Sequence, residues 1–162
     1  MMGKYFSVVY DIQRPPPLEL VSHQDRFRVL KWNRAINNFV NELKSMGTRI
    51  NYSVYVLPAK HYDRAKRLVE HYTKLFNELN VKNDIYILEY APSSDETLKN
   101  KVRLQLKLQF NDLKRKYDEA VKISERRTIK KQIELLRQLA ISFGELDLAE
   151  QFVLGTTLKV IE

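Results

Sequence analysis

Residues 4–12 read KYFSVVYDI, a β-branched and aromatic run that ends beside a carboxylate. Side chains alternate along a strand, so Phe6, Val8 and Tyr10 point one way and Tyr5, Ser7, Val9 and Asp11 the other. Both faces are largely apolar. A strand of that kind is covered on both, by helices on one side and by another sheet or a second subunit on the other. Asp11 stands where the strand leaves this sandwich. A carboxylate at that point either binds a metal ion or accepts hydrogen bonds from the next turn, as Asp side chains commonly do.

Downstream, Pro15, Pro16 and Pro17 cannot continue a ladder and hold the chain extended, which predicts a rigid connector and a loop reaching about Gln24. From about Asp25, the apolar residues Val29, Trp32, Ile36, Phe39, Leu43 and Met46 recur at three- and four-residue steps and predict a helix that stops at Gly47. Residues 48–57, TRINYSVYVL, alternate as a second strand with a turn into a third near its end, and Pro58 closes the run. A second amphipathic helix is predicted over residues 60–79, with Ala65, Leu68, Tyr72, Leu75 and Leu79 on one stripe and Asn80 as its cap. Residues 84–90, DIYILEY, form the next strand. Strand, helix, strand or hairpin, helix, strand is the order of an α+β, ferredoxin-like antiparallel sheet with two helices on one face, here over residues 1–92. The other face, carrying Tyr5 and Val9, is left open and predicts a homodimer.

Residues 93–162 read as a helical extension with a last strand. Ser94, followed by Asp95 and Glu96, suits an N-cap, and neither Gly nor Pro interrupts the chain from there to Phe143. Val102, Leu106, Phe110, Leu113, Tyr117 and Ala120 make one helical stripe; Ile129, Ile133, Leu136, Ala140 and Phe143 make another, out of phase with it. The break near residues 123–127 predicts a helical hairpin. Residues 102–110, VRLQLKLQF, also alternate as a strand would, but their Lys, Arg, Gln and Leu are good helix formers and the helical stripe continues beyond them. A short helix over residues 145–154 and a strand over residues 156–161, TTLKVI, complete the prediction; the strand suits a sheet edge of its own subunit or of a partner.

The formal charge of +8 favours a polyanionic partner, DNA or RNA. Absence of cysteine excludes disulfides, thiol catalysis and thiolate metal sites. No apolar run has the length of a membrane span and the N-terminus enters a strand, so a cytoplasmic protein is expected. Charged residues at 30% with four glycines would also suit a thermophile. Arg26, Arg28, Lys31 and Arg34 crowd the first half of the first helix, against its macrodipole, and either mark an anion nearby or form a plain solvated face. Lys114, Arg115 and Lys116, then Arg126, Arg127, Lys130 and Lys131, form basic segments that either contact phosphates without reading sequence or are simply solvated. His23, His61 and His71 make no metal-ligand pair, and the chain holds no Gly-rich phosphate loop, nucleophile elbow or zinc pattern. Should two open faces meet in a dimer, two Asp11 carboxylates approach across the axis and need a cation or a shared proton. Mg²⁺ held there would activate water against a phosphodiester. A third reading makes the helical hairpin the docking site of a protein partner, with the charge incidental.

The run Tyr5-Phe6-Ser7-Val8-Val9-Tyr10-Asp11-Ile12, a helix, and then Gly47-Thr48-Arg49-Ile50-Asn51-Tyr52-Ser53-Val54-Tyr55 resembles the CRISPR-associated Cas-two family over residues 4–90. The resemblance implies a ferredoxin-like subunit, a homodimer formed through the sheets and a role bridging integrase subunits during spacer acquisition, with metal-dependent nuclease activity in some members. It carries the family's strand-end Asp onto Asp11 and the serine of its second strand onto Ser53. The proline insertion after Asp11 and the helices beyond residue 93 depart from the compact family pattern. Cas-two-like folds also occur in regulators and toxins, so fold alone does not set function.

Overall fold

The computed structural model describes residues 2–154, and the chain divides into two compact units, Met1–Pro92 and Ser93–Glu162. The first unit runs β1 (Tyr5–Ile12), α1 (Arg26–Met46), β2 (Thr48–Asn51), β3 (Val54–Pro58), α2 (Tyr62–Glu78) and β4 (Asn83–Glu89). Its sheet has the order β2-β3-β1-β4, with β1 antiparallel to both β3 and β4. This is the α+β architecture expected from the order of apolar patterns, with the opening strand at its centre.

One face of β1 supplies Phe6 and Val8 to a core shared with Tyr55 and Leu57 of β3, the α1 stripe Val29, Trp32, Ala35, Phe39, Leu43 and Met46, and Ala65, Tyr72 and Phe76 of α2. Each fully buried side chain of this size contributes about 1.5–3 kcal/mol over leaving it in water. Phe76 is fully buried, whereas Leu68, Leu75 and Leu79 of the predicted α2 stripe are partly so. The opposite sheet face is not uniformly open. Tyr5, Ser7 and Val56 are buried there, and the Ser7 and Tyr90 hydroxyls are hydrogen-bonded at 2.7 Å, while Tyr86 and Leu88 remain exposed.

Two local details differ from expectation. The reversal between β2 and β3 falls at Tyr52 and Ser53, in the middle of the alternating run and not near its end. Asn51 Oδ1 accepts the Tyr52 N–H at 2.8 Å and Ser53 takes φ +61°, so polar side chains form the turn inside an apolar pattern. Gly47 does follow α1, but its φ of −156° is extended and any residue could adopt it. Its lack of a side chain is what matters: a Cβ there would lie 2.2 Å from the Val56 carbonyl oxygen. Asn80, by contrast, has φ +55° and closes α2 through Val81 N–H to Phe76 O and Asn80 N–H to Asn77 O.

The second unit contains α3 (Asp95–Glu119), α4 (Ile123–Ser142) and α5 (Leu146–Gln151). The chain reverses over residues 120–122, slightly before the predicted break. Helix wins over strand at residues 102–110: Val102, Leu106 and Phe110 are buried, while Leu104 and Leu108 of the strand-like alternation are exposed. Ser94 holds the N-cap position without a side-chain capping bond. Gly144, at φ +78°, ends α4, with Glu145 N–H bonded to Ala140 O and Gly144 N–H to Ile141 O. Arg103 pairs with Glu145, which is 3% exposed, and with Asp147 at 2.9 Å, fastening α3 to the start of α5. The predicted strand at residues 156–161 lies outside the described residues. No helix among the described residues is long and apolar enough to cross a membrane.

Candidate functional site

At the C-terminal end of β1, Asp11 is exposed and stands in register with Asp84 of β4. Like charges directly opposite on antiparallel strands are unfavourable neighbours. The sequence places Asp84 at the start of its strand, but its register against Asp11 is not visible in the sequence alone. Among the described residues no group of three or more His, Cys, Asp or Glu is placed to hold a metal. A pair of carboxylates nevertheless suits Mg²⁺, which keeps several of its waters and commonly takes only one or two protein carboxylates.

Ser53 lies at this same end of the sheet. Its carbonyl accepts the Tyr10 N–H at 3.1 Å. Burial pushes the Tyr10 phenol above its ordinary value, with Arg49 and Ser53 opposing the shift. Tyr55, stacked on Tyr10 with centroids 6.4 Å apart, is raised by its own burial and then by Tyr10. Ser53 is thus a left-handed turn residue whose carbonyl ties the turn to the backbone of β1. The loop beyond Asp11 is anchored before its prolines: Trp32 Nε1 donates to Gln13 O at 2.9 Å, and Gln13 N–H donates to Lys82 O. Arg14 reaches the Tyr52 hydroxyl.

The cations predicted to meet phosphate separate into two kinds. Arg28 is engaged within its own unit, with Asp25 at 2.9 Å, Leu79 O at 2.6 Å and the Trp32 ring at 5.3 Å. Its hydrogen bonds hold the Asp25 carboxyl below the usual range. Arg26, Lys31 and Arg34 are exposed on α1, whose first turn carries no acidic residue. Phe27, which the apolar periodicity passes over, is also exposed there, with Lys31 Nζ 5.9 Å from its ring centroid.

On α3, Lys114 is half-buried, Arg115 pairs with Asp112 and Glu119, and Lys116 pairs with Asp112. On α4, Arg126 donates to Ala120 O at 3.1 Å, and Arg126 and Lys130 lie 5.3 and 5.7 Å from the Tyr117 ring centroid. Arg127 and Lys131 are exposed beside them. None of the ion pairs among the described residues involves Arg126, Arg127, Lys130 or Lys131. His23 and His71 are exposed, and burial followed by Lys60 and Arg64 lowers the half-buried His61.

Comparison with known proteins finds no family model, no curated protein and no solved structure that matches the chain.

Proposed function

We propose that this chain is a dimeric, Cas-two-like nucleic-acid-binding protein that holds DNA or RNA mainly through phosphate contacts, in CRISPR adaptation or the biology of a mobile element. The observation that carries this reading is that exposed cations remain outside the internal ion pairs, among them Arg26, Lys31 and Arg34 on α1 and Arg127 and Lys131 on α4. The ferredoxin-like sheet and its strand-end Asp11 accord with the family resemblance but carry less of the functional argument, since this fold hosts many activities. Phosphate-dominated binding weakens by about a thousandfold or more between about 50 and 200 mM salt, with little sequence preference. Fluorescence anisotropy on a labelled duplex and a labelled single strand measures it; binding that ignores salt, or none at low salt, overturns the proposal. Sedimentation at twice the chain mass of 19.3 kDa tests the dimer.

A second reading, metal-dependent phosphodiester hydrolysis, is favoured by the Asp11 and Asp84 register. Asp11 and Asp84 would hold Mg²⁺, which supplies charge neutralisation and a more acidic bound water. The protein's own contribution is to fix the two carboxylates on adjacent strands. Cleavage that survives Asp11→Asn at full rate would remove this reading.

A further inference from the structure

Phe27 is 75% exposed on α1. The helical repeat places it in one stripe with Lys31, Arg34, Asn38 and Asn41, all exposed. Lys31 lies against the Phe27 ring, and the neighbouring carboxylate, Asp25, is taken up by Arg28. We propose that this stripe binds a polynucleotide strand with unpaired bases: Phe27 stacks on a base, Lys31 and Arg34 hold flanking phosphates, and Asn38 and Asn41 meet base edges.

The proposal rests on the nucleic-acid reading above and deepens it by naming the state of the substrate. Phosphate contact requires cations and nothing else; a large ring set among them adds no affinity for a duplex backbone. Surfaces for single strands combine a basic track with aromatic faces, because every base offers a π-face once it leaves its helix. From Phe27 to Arg34 the helix rises about 10 Å, so the ring and both cations lie within reach of successive nucleotides of one strand. An acidic, apolar protein surface is the competing class of partner. It would use the same cations but would not distinguish an aromatic ring from an aliphatic side chain of similar size.

That distinction sets the experiment. Anisotropy is measured with the full chain on a labelled oligothymidylate and on a duplex of equal length, for the parent protein and for Phe27→Ala, Phe27→Leu and Phe27→Trp. Phe27→Ala and Phe27→Leu should weaken oligothymidylate binding about tenfold and leave duplex binding within about twofold, while Phe27→Trp keeps both. Exposure of Phe27 makes all three variants compatible with folding, which circular dichroism checks. Equal weakening on both probes, or full retention by Phe27→Leu, overturns stacking while nucleic-acid binding itself stands. Failure of the parent protein to bind either probe overturns both readings. A change in sedimentation with unaltered oligothymidylate binding assigns the patch to a contact between copies and also overturns the proposal.

Discussion

Replacing Gly47 by alanine tests how tightly α1 is joined to the hairpin that follows it. The added Cβ would lie 2.2 Å from Val56 O, 2.8 Å from Leu57 Cγ and 3.0 Å from Val56 C. The nearest obstacle is a strand carbonyl between two buried residues, so relief requires β3 to move as a unit. Overpacking of a rigid site costs about 1–3 kcal/mol, and a backbone obstacle belongs at the upper end. The loss of glycine's freedom in the unfolded chain offsets about 0.4–1 kcal/mol, leaving about 2 kcal/mol. For a unit of this size that lowers the melting temperature by on the order of 10 °C, measured by far-ultraviolet circular dichroism. Gly144 supplies the converse control. A Cβ there meets nothing within 4 Å, but φ is +78°, so Gly144→Asn should be milder than Gly144→Ala, whereas Gly47→Asn should be no milder than Gly47→Ala. A Gly47→Ala protein that melts within about 2 °C of the parent refutes the close-approach argument.

Three other outcomes follow from the ion pairs. Arg103→Ala strands the buried Glu145 carboxylate and should destabilise the second unit by about 3–5 kcal/mol, seen as faster hydrogen exchange in α4 and α5; unchanged exchange contradicts it. Hydrogen bonds from Arg115 hold the Asp112 carboxyl below its ordinary value, and those from Arg103 do the same for Asp147. Because the folded values are depressed, their stabilisation is present above the unfolded carboxylate range and disappears as pH falls through the folded values, so thermal stability should decline below about pH 4. In a salt titration of nucleic-acid binding, Arg126→Gln, Arg127→Gln, Lys130→Gln and Lys131→Gln together should flatten the log–log slope by up to about 3.6, and Arg115→Gln with Lys116→Gln by under about one. Equal effects per residue would show that internal pairing does not decide which cations reach phosphate.

The first unit was legible because its two periods alternate cleanly. Residues 4–12 and 84–90 show the two-residue period, and α1 and α2 the three- to four-residue one, so element type and order follow directly from the sequence. Residues 102–110 satisfied both periods, and burial of Val102, Leu106 and Phe110 decides for the helix. What escaped the sequence were features set by register and by close approach. Whether Asp11 faces Asp84 depends on how two strands separated by most of the unit align, and the need for Gly47 depends on where a strand carbonyl comes to rest. Phe27 was missed for a different reason: an apolar residue off the buried stripe has no partner in a periodicity argument, although its place among cations was already visible.

Charge density along the chain is a poor guide to where charge is presented. Lys114-Arg115-Lys116 is the densest basic triplet, yet Asp112 and Glu119 stand three and four residues from Arg115, the spacing at which helical side chains meet, and both pair with it. Arg28 is similarly drawn to Asp25, three residues before it. Both engagements can be anticipated from spacing alone. The same rule applied to Lys31 and Arg34 finds no carboxylate three or four residues away on either side of them. Lys130 and Lys131 do have acidic residues in reach of that spacing at Glu134, but Arg137 and Gln138 occupy it from the next turn. A basic helix therefore offers a polyanion only the cations that its own acidic residues leave over, and in the first halves of α1 and α4 these include Lys31, Arg34, Lys130 and Lys131.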